Sequence, residues 1–120
     1  QHAVVIEQGA IGICLDSADQ AYQQNRLTFP NDDSALFHYN RVLAQQPGHP
    51  EAQAGINRIV ERYHGMARRA LERGETDRSQ RYVARGLNID PQHAGLQGIN
   101  EELARLAAAP PPASGALARR

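Results

Sequence analysis

Prolines and glycines interrupt this chain at intervals that match the length of helices, and no other feature limits the fold as strongly. The interruptions fall at Pro30, Pro47, Gly74, Pro91 and the triplet 110–112. Between them, apolar residues recur three, four or seven positions apart, which places them on one face of an α-helix. The β-like run 4–6 is too short to pair alone. We therefore predict an all-α protein of five helices without a sheet.

The third segment carries the longest apolar pattern, formed by Ile56, Ile59, Tyr63, Met66 and Ala70. This pattern keeps its phase across Gly65, and an isolated glycine costs a helix only about 1 kcal/mol. We therefore predict one continuous helix from about Glu51 to Arg73. In the first segment, Gly9 and Gly12 weaken the helix, and the sequence leaves its start open as far as Ile13.

Polar residues near the expected helix ends agree with this division. The segment 32–34, Asp-Asp-Ser, offers side-chain caps to the second helix. Thr76 or Asp77 is expected to cap the fourth helix, because short oxygen-bearing side chains bond the free N–H groups of a first turn. Gly74 suits the left-handed position that ends the third helix.

The chain also repeats itself when it is shifted by 44 residues. The matched pairs include Pro47 with Pro91, Arg41 with Arg85 and Leu43 with Leu87. With one deletion, the string Gly-Ile-Asn at 55–57 recurs at 98–100. We predict two repeats over about 11–47 and 51–91, a closing helix within 92–109 and a Pro-rich linker or tail over 110–120. Leu43 and Leu87 are then equivalent core residues.

Composition and charge exclude several classes of protein. No run of 18 apolar residues occurs, so no transmembrane helix is expected. The formal net charge is zero, which gives no support to general nucleic-acid or membrane-surface binding. Residues 1–57 nevertheless hold two arginines against six acids, whereas residues 58–85 hold eight arginines against four acids. This basic part suits an acidic partner, an ordinary solvated surface, or attraction to the acidic part within or between chains.

No group of residues predicts catalysis or metal binding. The five histidines are dispersed, and no two stand at i,i+4 on one helix. His49 and His93 occupy equivalent repeat positions in turns, so we expect structural roles for both. Cys14 lies on the apolar side of the first helix, which favours a small buried side chain over a nucleophile. We predict a protein that is not an enzyme and has no cofactor and no metal site.

A polar stripe on the third helix is the remaining candidate site. It consists of Asn57, Glu61, His64, Arg68 and Glu72, spaced by four, three, four and four. On the first helix, Gln20 and Gln24 take corresponding places. Such side chains can bond the backbone of an extended peptide or a carboxylate, with Arg68 and His64 as the best single residues. The alternative is an ordinary solvated helix face.

The spacing of Ala35, Tyr39, Val42 and Pro47 resembles the second helix of a tetratricopeptide repeat. In the second repeat, the corresponding residues are Gly74, Ser79, Val83, Gly86 and Pro91. Two features depart from the family: the usual Leu-Gly pair is missing, and the period is 44 rather than 34. The resemblance implies a right-handed stack of antiparallel helical hairpins. It further implies a non-catalytic module that docks a peptide or partner helix on helices one, three and five.

The sequence also gives expectations about the source, location and parent protein of the chain. The stretch 26–30, Arg-Leu-Thr-Phe-Pro, is similar to short repeat regions of multidomain bacterial proteins, including membrane kinases and envelope energy transducers. It implies a bacterial protein, cytoplasmic or periplasmic, with the periplasmic side of an envelope protein favoured. Because the chain starts with Gln1 rather than Met, we expect a piece of a longer protein. The alternative function is self-association, as a homodimer or spacer, since two repeats bury little surface alone.

Overall fold

The computed structural model describes the backbone of residues 2–108 and the side chains of residues 9–108. The expected Pro-rich tail 110–120 lies outside the described residues. The helices are α1 (His2–Gln23), α2 (Ala35–Gln45), α3 (Pro50–Glu72), α4 (Thr76–Ile89) and α5 (Ala94–Ala108). Because no strand occurs in this part of the chain, the prediction of an all-α fold is confirmed.

The chain divides into two compact units, and the boundary falls inside α3. The first unit is Gln1–Tyr63 and the second is His64–Arg120. The predicted continuity of α3 across Gly65 is confirmed, because the helix runs unbroken from Pro50 to Glu72. By contrast, α1 starts at His2, well before Ile13, so Gly9 and Gly12 lie inside a helix despite their low propensity.

The first unit packs α2 and the first turns of α3 against α1. Its fully buried residues are small or aliphatic, with two tyrosines: Ile11, Cys14, Ala18, Ala21, Leu27, Ala35, Tyr39, Val42, Ala52, Ile56, Ile59, Val60 and Tyr63. Gly55 lies against the ring of Tyr39, where a Cβ atom would meet Tyr39 Cζ at 2.2 Å. The close approach of α3 to this ring therefore requires a glycine. Cys14 is 3% exposed, as the apolar pattern predicts.

An ordered connection of eleven residues, 24–34, joins α1 to α2. The backbone N–H groups of Ala35 and Leu36 donate to the carbonyls of Arg26 and Leu27 at 2.7 and 3.0 Å. The Ser34 hydroxyl accepts the Phe37 N–H at 3.1 Å, so Ser34 is the cap within the predicted segment 32–34. The connection therefore leads α2 back along α1 with its first turn already satisfied.

Asp33 contacts both the start of this connection and α2. Its carboxylate accepts a hydrogen bond from His38 Nε2 at 2.9 Å and contacts Arg26 Nη1 at 3.0 Å. The hydrogen bond from His38, and then that from Arg26, holds the pKa of Asp33 below its usual value of 3.8. The charged form of this carboxyl is thus favoured by the folded chain.

The second unit contains the rest of α3, α4 and α5. Its buried apolar residues are Ala67, Ala70, Val83, Leu96, Ile99 and Leu103. The buried Ser79 hydroxyl donates to the carbonyl of Ala67 at 2.9 Å, which satisfies it in an apolar surrounding. Gly74, at φ +79°, ends α3 in the left-handed conformation that the sequence predicts.

Two local predictions about this region are wrong. Neither Thr76 nor Asp77 caps α4, because the helix starts at Thr76 and the cap position belongs to Glu75, which makes no side-chain cap bond. The Glu75 N–H donates to the carbonyl of Ala70 at 2.8 Å, so this residue closes α3 as it starts α4.

The prediction that Leu43 and Leu87 are core residues is the second that is wrong. Both are only half-buried, whereas the preceding position holds a buried residue in each repeat.

The turns after α2 and α4 make the same backbone hydrogen bonds at a spacing of 44 residues. After α2, Gln46 N–H donates to Val42 and His49 N–H donates to Gln46; after α4, the residues 44 positions later make the same two bonds. The caps Gln46 and Asp90 have φ −138° with ψ 87° and φ −133° with ψ 88°. The expected structural role of the two turn histidines is also confirmed. His49 Nδ1 accepts the Ala52 N–H, and 44 residues later the equivalent ring accepts the equivalent N–H.

Candidate functional site

A groove of about 420 Å³ lies between α1 and the first turns of α3, within the first unit. Its lining residues are Leu15, Asp19, Tyr22 and Gln23 from α1, and Glu51, Ala54 and Arg58 from α3. The side chains of Leu15 and Tyr22 are half-buried because they flank the buried stripe of α1, and the rest of each side chain faces the groove. The groove thus brings apolar side chains of α1 and α3 together with the charged side chains of Asp19, Glu51 and Arg58.

Three residues form a hydrogen-bonded group at one wall of the groove. The Tyr39 hydroxyl donates to Asp19 Oδ1 at 2.5 Å and accepts from Arg58 Nη2 at 2.9 Å. Arg58 Nη2 also lies 3.6 Å from Asp19 Oδ1. Because Tyr39 comes from the core of the unit and is 1% exposed, it fixes the carboxylate and the guanidinium at the surface.

The environment of Tyr39 keeps its proton in place. Burial, together with the hydrogen bond to the Asp19 carboxylate, raises the pKa of Tyr39 from 10.0 to about 12. The hydroxyl therefore remains a donor to Asp19 throughout the neutral range. The arrangement positions the charged side chains of Asp19 and Arg58.

Tyr22 provides an aromatic wall that two arginines cover. The guanidinium carbons of Arg58 and Arg62 lie 5.4 and 5.5 Å from its ring centroid. Cation–π contacts of this kind hold the two side chains over the ring while leaving N–H groups directed outward. Since the Arg58 side chain is 53% exposed, it can still donate to a ligand in the groove.

Glu51 supplies a charge that no side chain among the described residues neutralises. It is exposed in the first turn of α3, and it makes no hydrogen bond or ion pair with any residue in the described part of the chain. The helix N-terminus favours its carboxylate weakly. With Asp19 already bonded to Arg58, the lining of the groove retains a net negative charge at Glu51.

The predicted partner-binding residues of the first unit do not line this groove. Gln20, Gln24, Asn57 and Glu61 are all exposed, as the polar stripe predicts. The Gln24 amide oxygen accepts from Arg26 at 2.8 Å, and Asn57 accepts from Gln53 at 3.3 Å. The lining side chains stand one residue before or after three of the predicted ones, and one residue rotates a helix position by about 100°. Polar residues next to the apolar stripe, rather than opposite it, are the signal that locates the groove.

The other three predicted residues belong to the second unit. Arg68 and Glu72 are exposed, whereas His64 is half-buried. A Cβ atom on Gly95 would lie 2.4 Å from His64 Cε1, so α5 passes close over this ring. His64 therefore packs against α5 and presents only part of its ring to a partner.

His64 and His93 are the potential metal-ligating side chains that meet within the second unit, with ring centroids 5.0 Å apart. However, His93 Nδ1 accepts the Leu96 N–H at 3.1 Å, so this nitrogen carries no proton. The proton of the neutral ring is then on Nε2, and metal binding there would require moving it to Nδ1 at the expense of the helix cap. The geometry of His93 thus favours capping over metal binding.

The remaining observations are general. No helix in the described range 2–108 is both long and apolar enough to cross a membrane. Comparison of the chain with protein-family models, curated proteins and solved structures found no match.

Proposed function

We propose that this chain is a non-catalytic interaction module that docks an extended peptide in the groove between α1 and α3. The groove itself, with its prepositioned Tyr39–Asp19–Arg58 group, is the observation that supports the proposal most. The tetratricopeptide-like spacing of α2, together with the helical hairpins, agrees with a function of this kind. Its prediction of a wider face on helices one, three and five stays a prediction.

The chemistry of the groove favours a peptide that carries an apolar and a cationic side chain. Leu15 and Ala54 offer an apolar surface. The Gln23 amide and the Arg58 guanidinium can bond the backbone of an extended chain, which exposes both donors and acceptors. The unneutralised carboxylate of Glu51 selects a lysine or arginine side chain on the ligand by charge complementarity.

A charge-selective binding experiment tests this proposal. The probe is a fluorescently labelled peptide of alternating leucine and lysine, compared with one of alternating leucine and glutamate. Glu51→Gln should weaken binding of the lysine peptide about two- to fivefold, the range for an exposed ion pair. Glu101→Gln, an exposed carboxylate on α5, is the matched control and should have no effect. Equal binding of both peptides, or equal loss in both variants, would contradict the proposal.

Self-association is the second candidate, and one observation favours it. Ile13 on α1 is 69% exposed, and Leu106 on α5 is 51% exposed, so each terminal helix presents a large apolar side chain to solvent. A second copy of the chain that covers Ile13 would bury this surface. Sedimentation velocity should then show a dimer that Ile13→Ser weakens, while Phe29→Ser, at another exposed apolar residue, in the connection 24–34, leaves it unchanged. A monomer at all concentrations would exclude this role.

A further inference from the structure

The second unit holds a concave site of its own, distinct from the groove in the first unit. It has a volume of about 180 Å³ and is lined by Met66, Arg69 and Ala70 from α3, Arg73 and Glu75 from the turn, and Arg78 and Tyr82 from α4. We call it the arginine pocket. Three cations face one anion across it, so its lining carries a net positive charge.

Two of the three arginines have no electrostatic partner among the residues that the structure describes. Arg69 lies in the last turn of α3 and Arg73 lies directly after the helix. Both are exposed, and neither forms an ion pair or side-chain hydrogen bond with any described residue. Arg78 Nη1 lies 3.6 Å from Glu75 Oε1, and its side chain is 54% exposed. The guanidinium groups are thus close together, accessible and largely unneutralised.

The backbone fixes the distance between these arginines. The turn from α3 to α4 has three residues, and Gly74 takes the left-handed conformation within it. Gly74 N–H donates to Leu71, and Glu75 N–H donates to Ala70 at 2.8 Å. Because no long loop intervenes, the backbone positions that carry these arginines are fixed relative to one another before any ligand arrives.

Local helix electrostatics explain only part of this arrangement. Cations are favoured near a helix C-terminus, which accounts for Arg69 and Arg73 at the end of α3. Arg78, however, lies in the first turn of α4, where the helix dipole disfavours a cation. Glu75 offsets this through a single contact at 3.6 Å. A bound anion between the two helix ends would stabilise all three arginines at once.

We propose that the arginine pocket binds the carboxylate of an acidic peptide segment on a protein partner. A volume of about 180 Å³ accommodates one acidic side chain rather than a helix. Guanidinium groups bind carboxylates through paired N–H donors, which the arginines of this pocket can provide. A nucleic-acid backbone fits poorly, because Glu72, Glu75 and Asp77 interrupt the basic surface that a row of phosphates would follow.

Fluorescence anisotropy with a labelled peptide of alternating glycine and glutamate tests this proposal. Arg73→Gln should weaken binding about fivefold, and the Arg69→Gln/Arg73→Gln double variant at least about tenfold, because charge-assisted hydrogen bonds are lost. Arg105→Gln removes the same charge from an exposed site on α5 and should change affinity by less than about twofold. Circular dichroism of each variant checks that the helices persist.

Further variants and probes distinguish binding at the arginine pocket from nonspecific attraction between opposite charges. Arg73→Lys keeps the charge but loses the paired donors, so it should still weaken binding about threefold. A peptide of alternating glycine and glutamine should not bind. The proposal is overturned if the wild-type chain fails to bind the glutamate peptide, or if Arg105→Gln reduces affinity as much as Arg73→Gln. It is equally overturned if an oligothymidylate binds more tightly than the peptide and with the same dependence on Arg73.

Discussion

The turns that follow α2 and α4 make the same backbone hydrogen bonds, whereas the connections that follow α1 and α3 have little in common. Each matching turn ends in a histidine that caps the next helix, at His49 and His93. The connection after α1 has eleven residues, and that after α3 has three. The similarity at a spacing of 44 residues is therefore closest in the two short turns after α2 and α4. It is absent from the connections after α1 and α3, which differ in length and in the hydrogen bonds that stabilise them.

The two dissimilar connections solve the same problem in different ways. The short one relies on Gly74 and on backbone hydrogen bonds that close α3. The long one uses side chains: Ser34 caps α2, and Asp33 binds both Arg26 and His38. We expect the long connection to be sensitive to side-chain substitution and the short one to backbone conformation.

The largest effect should come from the two Gly-Ile-Asn strings, which match in sequence but differ in surroundings. A Cβ atom at Gly55 would overlap the ring of Tyr39, whereas one at Gly98 would meet nothing within 4 Å. Gly55→Ala should lower the free energy of unfolding by about 2 kcal/mol, the typical cost of overpacking. Gly98→Ala should raise it by about 0.5–1 kcal/mol through helix propensity. Urea denaturation measures both, and a loss of similar size at the two glycines would contradict the packing described at Gly55.

A smaller difference is expected between the caps of α2 and α4. Ser34 bonds the Phe37 N–H, but Glu75 makes no cap bond through its side chain. Ser34→Ala should therefore cost about 1 kcal/mol of stability, and Glu75→Ala less than about 0.5 kcal/mol. Thermal unfolding of the two variants gives the comparison. An equal loss would mean that the turn before α4 depends on its side chain after all.

The smallest expected effect is on the stability of the protein at acidic pH. Because the pKa of Asp33 is lowered in the folded chain, its contribution to stability is present above pH 3.8 and is lost as the pH falls through and below that value. Asp33→Asn should flatten this part of the pH dependence, measured by urea midpoints between about pH 5 and 2.5. Asp77→Asn, at the start of α4, is the control. No difference between the variants would show that the contacts of Asp33 do not stabilise the charged carboxyl.

The helices were accessible from the sequence because each carries its own periodic pattern and its own Pro or Gly boundary. The sequence does not predict the cap of α4, because the choice between Glu75 and Thr76 depends on the hydrogen bond from Glu75 N–H back to the Ala70 carbonyl. The groove was missed for a related reason. Its charged wall depends on Tyr39, a core residue of α2 that meets Asp19 and Arg58 only after three helices pack. The polar stripe in the sequence predicts Gln20 and Asn57 as binding residues, and each is the neighbour in sequence of a residue that lines the groove.

The most direct measurement of the central proposal is to fill the groove and test for peptide binding. Ala54 is exposed and lines the groove, so Ala54→Trp should occupy it without disturbing the core. Ala84→Trp, at an exposed alanine of α4, is the matched control. Titration calorimetry with the leucine–lysine peptide should show at least about a tenfold loss of affinity for Ala54→Trp and none for the control. Unchanged binding by Ala54→Trp would contradict peptide docking between α1 and α3.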